Sequence, residues 1–199
     1  MAYTGADSVR VSMPLFHGGG RGSSPTSALQ LHFELIGRKR ALALNALWHS
    51  MLPRLPEWNV YTKHGICYGA IYEGIYYAIA IWSRPVSRQL DDGNTFELRR
   101  MAIANDAPKN TASRMMGWMI RELKKSKWTK AISYQDAEVH AGTIYKASGW
   151  TSVAVSNGKA GWNTGGKTYG VRRVVKAQHD PVSNSPKVRW EISLTANRH

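Results

Sequence analysis

The chain has 199 residues, a length that suits one domain with a full hydrophobic core. Its 27 lysines and arginines against 13 acidic residues give a formal net charge of +14, which favours a polyanionic partner such as nucleic acid, although a ribosomal or tail-assembly protein can carry the same charge. The single cysteine, Cys67, excludes an intrachain disulfide and a cysteine-based zinc site, and no apolar segment reaches the about 20 residues of a transmembrane helix. We therefore expect a protein of the cytoplasm.

The N-terminal segment is rich in glycine and serine, so residues 1–27 are predicted to be a flexible N-terminal arm. Apolar and polar residues alternate between Leu29 and Leu35, which predicts a half-buried strand. A helix is predicted from about Arg38 until Pro53 ends it. His49 falls near the end of that helix, where a surface histidine beside the negative end of the dipole and a functional histidine are both compatible with the sequence.

Three strands are predicted next. Two of them form a hairpin between Ile66 and Ile81, with its turn at Glu73-Gly74, and the third runs from Glu97 to Ile103. Simple alternation along the third strand places Glu97 and Arg99 on one face and Arg100 on the other. Two adjacent arginines on a core strand cannot both point into solvent, so at least one requires a carboxylate or phosphate partner.

A helix with an exposed N-terminus follows that strand. Methionines and aliphatic residues recur at helical spacing from Ala112 to Leu123, and Pro108 ends the preceding turn. Free N–H groups of the first turn, the helix dipole and two cations predict a phosphate or pyrophosphate site, while the alternative is an ordinary capped helix with a solvated basic end. The residues predicted to form this site are Lys109, Asn110, Thr111, Ala112, Ser113 and Arg114.

A further strand and a short helix complete this region. The strand ends in Ser133-Tyr134-Gln135-Asp136, and the segment AGTIYKASGW (Ala141 to Trp150) predicts a short helix that ends at a glycine. This succession of strand, turn, helix, strand and short helix with a tyrosine resembles the core of the GNAT N-acetyltransferases. The resemblance implies an α/β (α+β) fold with one central mixed, twisted sheet of about six to seven strands and helices on both faces. It also implies that Tyr145 protonates the leaving thiolate.

More distant segments make the resemblance more specific. WHSMLPRLP (Trp48 to Pro56), YGAIYEGIYYAIAIWS (Tyr68 to Ser83), DAPKNTASRM (Asp106 to Met115) and RWEI (Arg189 to Ile192), together with the segments above, resemble the Mom family of phage DNA-modification proteins over residues 28–193. The resemblance implies a single catalytic domain over residues 28–195. It also implies transfer of a glycyl- or carbamoylmethyl-type group to the exocyclic N6 amine of adenine in phage DNA, which protects that DNA from host restriction enzymes. The resemblance further supports a functional role for His49.

This chemistry assigns roles to particular side chains. Asp136 at a strand end is the first candidate to bind or deprotonate the amine, Tyr134 can stack on a flipped base, and an arginine can anchor a phosphate or orient Asp136. The predicted catalytic residues are Asp136, Tyr145, His49, Tyr134, Arg100 and Arg99. A metal site made of His49, Asp136 and His140 is a separate and less favoured hypothesis, because these residues are not spaced to lie on one face of a helix.

The C-terminal third is basic and aromatic. No acidic residue occurs between Glu138 and Asp180, so this region is the candidate nucleic-acid-binding face, and the alternative is a polar glycine-rich loop. The predicted nucleic-acid-binding residues are Lys146, Lys159, Trp162, Lys167, Arg172 and Arg173.

The donor and partners follow from these assignments. The acyl donor is expected to be acetyl-CoA or a glycyl donor such as glycyl-tRNA, and the partners are double-stranded DNA and, for a glycyl donor, tRNA, with no membrane. The sequence leaves open whether the chain forms a homodimer. The expected location is the cytoplasm of the infected bacterial host. Two other functions remain open: acetylation of a small amine or a protein from acetyl-CoA, and non-catalytic DNA binding.

Overall fold

Seven strands form one mixed sheet in the computed structural model, which describes residues 24–49, 65–156 and 186–195. Their order across the sheet is β1-β2-β3-β4-β5-β7-β6, and every neighbouring pair is antiparallel except β4 and β5, which are parallel. The strands are β1 (His32–Leu35), β2 (Ile66–Tyr72), β3 (Ile75–Ser83), β4 (Thr95–Ile103), β5 (Lys130–Asp136), β6 (Thr151–Ser156) and β7 (Lys187–Ser193).

Helices lie on both faces of this sheet, as the resemblance implied. The described helices are α1 (Arg38–Trp48), α2 (Thr111–Leu123) and α3 (Thr143–Ala147). Alternation along β3 separates the two cores: Ile79 and Ile81 pack with α1, whereas Ala80 and Trp82 belong to the larger cluster with α2 and α3. Within the described residues, no helix is both long and apolar enough to cross a membrane.

Helix α2 is the main apolar contribution to the larger core. Met115, Met116 and Met119 are completely buried, as their spacing predicted, and each such side chain contributes about 1.5–3 kcal/mol through removal of its surface from water. The ring of Trp82 stacks on Phe96 at 5.7 Å, and Phe96 stacks on Trp128 at 4.5 Å. These contacts fix β3 and β4 against the helix that starts at the candidate phosphate site.

The hairpin between β2 and β3 has the predicted turn. Glu73 and Gly74 both have positive φ, 47° and 80°, which is the backbone of a two-residue hairpin turn with right-handed strand twist. In contrast, the predicted strand from Leu29 to Leu35 is too long. Ser27 and Gln30 form a capping box around a short 3-10 helix, Ala28–Gln30, so that the strand begins only at His32.

Helix α1 ends at Trp48, and the backbone N–H of His49 donates to the carbonyl of Asn45. The predicted stop at Pro53 lies outside the described residues. Most of the predicted N-terminal arm, residues 1–23, also lies outside them.

Candidate active site

The two parallel strands, β4 and β5, separate after a short paired stretch, and the sheet splits between them. β4 and β5 are paired only from Thr95 to Leu98 and from Lys130 to Ser133. Beyond these residues β4 continues along β3 to Ile103, and β5 continues along β7 to Asp136. A cleft of about 490 Å³ occupies the split, a size that suits a small ligand or cofactor. Its walls come from β4, β5, residues 140–142 and α3, together with His49, Ala112 and Lys187.

The hydroxyl group of Tyr145 lies where β4 and β5 separate. The side chain is buried, and its oxygen lies 2.9 Å from Ser133 Oγ, which in turn lies 3.2 Å from the carbonyl oxygen of Leu98. Because the carbonyl can only accept, Ser133 uses its one proton there, and Tyr145 donates to Ser133. Burial raises the pKa of Tyr145. The phenol is therefore protonated at neutral pH, as a general acid must be.

Two tryptophans hold the ring of Tyr145. Trp190 of β7 stacks on it at 5.2 Å with an angle of 7° between the rings, and Trp150 meets it edge-on at 5.6 Å. The short helix α3 is therefore fixed in relation to β7.

Gln135 joins β7 to the segment before α3 through two side-chain hydrogen bonds, here called the Gln135 clamp. These bonds were not predicted from the sequence. The side-chain oxygen of Gln135 accepts from Trp190 Nε1 at 2.7 Å, and its amide donates to the carbonyl of His140. Gly142, with φ of +72°, begins α3 directly beside it, and an added Cβ would lie 2.6 Å from the Gln135 oxygen. A glycine is thus required where the cleft wall enters the helix.

Asp136 lies at the end of β5 with its side chain largely buried in the cleft. One carboxylate oxygen accepts from the backbone N–H of Glu138 at 3.1 Å, and the other forms an ion pair with Lys187 of β7. The partner lysine was not predicted, since it lies 51 residues away in the chain.

The two arginines of β4 have different surroundings. Arg99 Nε lies 3.3 Å from a carboxylate oxygen of Glu97, and the other Glu97 oxygen accepts from the backbone N–H of Val86 at 3.0 Å. Arg100 Nη1 donates to the carbonyl of Arg99 at 2.6 Å. The predicted simple alternation is wrong here, because Arg99 is an extra, bulged residue of β4 opposite the step from Ile81 to Trp82 of β3, and both arginines line the cleft. The predicted carboxylate partner is Glu97, whose pKa is raised by burial.

His49 reaches the same cleft from α1. Its pKa is lowered to about 4, chiefly by burial and further by the positive charge of Arg100 and by His140. The imidazole is therefore uncharged at neutral pH and available to accept a proton or a hydrogen bond. The predicted trio His49, Asp136 and His140 does not form a cluster suited to a metal ion, and no other group of three such ligands is found among residues 24–49, 65–156 and 186–195.

The N-terminus of α2 opens towards the cleft at Ala112. Asn110 is the N-cap residue, but it has the left-handed conformation and its side chain makes no capping hydrogen bond. The first-turn amides of Ala112 and Ser113 have no intrahelical acceptor because of their position. Arg114 Nε is buried without a hydrogen-bond partner within the described chain. These groups, with the exposed Lys109, fit a phosphorylated donor.

The predicted nucleic-acid-binding residues are only partly described. Tyr134 lines the cleft with 41% of its surface exposed, so its ring is accessible for stacking. Lys146 is exposed on α3. Lys159, Trp162, Lys167, Arg172 and Arg173 lie outside the described residues.

Known proteins share this architecture. A family model described as the Mom protein family matches residues 30–196. No curated protein matches the sequence. Among solved structures, the fold is similar to the ribosomal-protein-S18-alanine N-acetyltransferase from Escherichia coli, with a TM-score of 0.59, 10% identity and coverage of 83% of this chain and 95% of that one.

Two further structures were solved with a coenzyme. An acetyltransferase from Bacillus subtilis in complex with CoA has a TM-score of 0.56 and 14% identity, with 82% of this chain and 98% of that one covered. A GNAT family acetyltransferase from Elizabethkingia anophelis with acetyl-CoA bound has a TM-score of 0.57 and 12% identity, with the same coverage. The fold is therefore the GNAT fold.

Proposed function

This chain belongs to the Mom protein family, and we propose that it is a GNAT-like acyltransferase that modifies the exocyclic N6 amine of adenine in DNA. The observation that supports the proposal most strongly is the joint placement of a buried, protonated Tyr145 and an ion-paired Asp136 in the one cleft between β4 and β5. The helix terminus at Ala112 opens into the same cleft and suits an anionic donor.

The residues of the cleft can carry out both proton transfers of such a reaction. The bound donor supplies an acyl carbonyl joined to a leaving thiolate or alkoxide. As the adenine N6–C bond forms and the bond to the leaving group breaks, Asp136 accepts a proton from the amine and Tyr145 protonates the leaving group. Ser133 can then donate to the Tyr145 oxygen, which stabilises the phenolate until it is reprotonated.

The donor is held at the start of α2 in this proposal. Ala112 and Ser113 offer backbone N–H groups, and Lys109 and Arg114 supply positive charge. Acetyl-CoA and an aminoacyl donor such as glycyl-tRNA both present phosphate groups, so the same terminus can accept either. Their products differ, because direct glycyl transfer gives N6-CO-CH2-NH2, whereas the mark ascribed to the family is its isomer N6-CH2-CO-NH2.

Fragmentation spectra of the modified nucleoside separate these products. Direct transfer from a glycyl donor predicts a terminal amine and an acyl bond to N6. A terminal amide nitrogen on the carbonyl would exclude that donor chemistry. A mass increase of one acetyl group would instead identify acetyl-CoA as the donor.

The acceptor must leave the double helix to react. Inside the duplex the N6 amine is paired and stacked, so the enzyme has to extrude the base into the cleft. The exposed ring of Tyr134 at the cleft is suited to stack on that base, and the net charge of +14 favours binding of the phosphate backbone. Double-stranded phage DNA in the cytoplasm of the infected host is the substrate we infer.

The biological consequence can be tested with restriction enzymes. Plasmid DNA from bacteria that express this protein should resist enzymes whose recognition sites contain adenine, while DNA from cells that express Asp136→Ala should be cut. Protection by both Asp136→Ala and Tyr145→Phe that is seen only while the protein is bound, and disappears once the DNA is deproteinised, would instead favour a protein that shields DNA by binding alone.

One specific observation favours a second candidate function. The solved structures that share the fold include acetyltransferases with CoA or acetyl-CoA bound. Acetylation of a small amine or a protein predicts acetyl-CoA turnover without DNA. Turnover that depends on added DNA would exclude this candidate.

A further inference from the structure

The first residue of β7 and the last residue of β5 face each other across the sheet at the cleft. Asp136 and Lys187 are direct partners in the antiparallel register, and their side chains form an ion pair. The other carboxylate oxygen of Asp136 is engaged by the backbone N–H of Glu138. Both oxygens are thus engaged by donors, and this fixes the orientation of the carboxylate.

The pair differs from an ordinary surface salt bridge in its position. The Asp136 and Lys187 side chains retain 13% and 30% of their exposure, and both line the cleft. For comparison, Lys125 pairs with Glu122 at 2.7 Å on the surface with 70% of the lysine exposed, where solvent screens the interaction. Charges that are partly removed from water interact more strongly.

Other ionisable groups share the cleft with Asp136. Tyr134 and Tyr145 are neutral over the working range, because burial raises the pKa of each. The remaining ionisable side chains that line it are His49, Glu97, Arg99, Arg100, His140 and Lys187. Arg99 lies beside the carboxylate of Glu97, and the ammonium of Lys187 is in direct contact with Asp136.

We propose that Lys187 is a positioning residue of the active site, whose ammonium group keeps the Asp136 carboxylate ionised and oriented towards the acceptor amine. This inference rests on the proposed function for its consequence in catalysis. The effect of the Lys187 charge on the Asp136 carboxylate does not depend on the proposed function.

The pH dependence of DNA modification tests the role. Loss of the ammonium in Lys187→Met should move the acid limb of the activity profile upward by about one pH unit, which is about a tenfold loss below the limb and little loss above it. Lys187→Arg should return the limb towards its original position. Lys130→Met is the matched control, because Lys130 begins β5 at the opposite end of the strand, and it should leave the limb in place.

A second measurement does not depend on activity. The carbon-13 signal of the Asp136 carboxyl group, identified by its loss in Asp136→Asn, should titrate at higher pH in Lys187→Met than in the unaltered protein. Titration at the same pH in both proteins would overturn the proposal. An unchanged limb with a uniform loss of activity would also overturn it. If the unaltered protein modifies no DNA, the proposed function fails, and the carboxyl titration still decides the role of Lys187.

Discussion

At the scale of single residues, the hydroxyl of Tyr145 is the group whose removal should separate catalysis from folding. Tyr145→Phe keeps the ring that stacks on Trp190 but removes the donor to Ser133. We expect the turnover rate to fall by about 10²–10⁴-fold, the usual contribution of a general acid. The free energy of unfolding should fall by only about 1 kcal/mol, the typical value for one hydrogen bond. Steady-state kinetics and chemical denaturation measure the two effects.

Tyr68→Phe is the matched control for this change. Tyr68 is also buried, its pKa is raised to about 12, and it packs edge-on against Trp118. It does not line the cleft. Activity should therefore be retained, and an equal loss in both variants would show that the effect of Tyr145→Phe is structural.

His49 gives a prediction about stability and pH. Its pKa in the folded protein, about 4, lies below the ordinary value of 6.5, so the unfolded chain binds the proton more readily. The free energy of unfolding is therefore highest, with respect to His49, above about pH 6.5, and it decreases as the pH falls from 6.5 towards 4. We expect this loss to be roughly 2 kcal/mol, allowing for the partial exposure of the ring. Denaturation of the unaltered protein and His49→Gln at several pH values measures it, and equal pH dependence in both would contradict it.

At the scale of the structural elements, the position of α3 depends on a glycine. Gly142→Ala would place a Cβ 2.6 Å from the Gln135 oxygen and 2.7 Å from Trp190 Cζ2, in a left-handed conformation. Overpacking and backbone strain together should cost about 2–4 kcal/mol. Gly149→Ala, at the other end of the helix, also has positive φ but meets nothing within 4 Å, so about 1 kcal/mol is expected. Thermal unfolding compares them, and equal losses would contradict the clamp.

The elements also show what sequence patterns can reveal. Periodicity and turn residues predicted the β2–β3 hairpin, α2 and α3, because the signals for these elements are local. The capping box at Ser27 and Gln30 was missed, since alternation of apolar residues obscured it. The bulge at Arg99 depends on the partner strand and has no local signal.

The residues of the candidate site were also predicted only in part. Asp136, Tyr145, His49 and both arginines, all named from the sequence, line one cleft. Lys187, Gln135 and Trp190 were not predicted, because their roles come from the pairing of β5 with β7 across more than fifty residues. A buried glutamine opposite a tryptophan has no recognisable signature until the register is known.

At the scale of the whole molecule, the GNAT fold and the basic charge suit the donor site and the acceptor surface that we propose. The split between β4 and β5 supplies the cleft, and the N-terminus of α2 is the proposed anion site. If DNA is the acceptor, binding should weaken steeply as salt is raised, because phosphate contacts release counterions. Affinity measured at two salt concentrations tests this, and affinity for DNA independent of salt would contradict it.

The most direct test of the central claim is mass spectrometry of nucleosides from plasmid DNA after expression of this protein, beside an Asp136→Ala variant shown to be folded. We predict a new deoxyadenosine species heavier by one glycyl or one acetyl group, present with the unaltered protein and absent with the variant. An unmodified nucleoside profile from cells with intact, soluble protein would contradict the account.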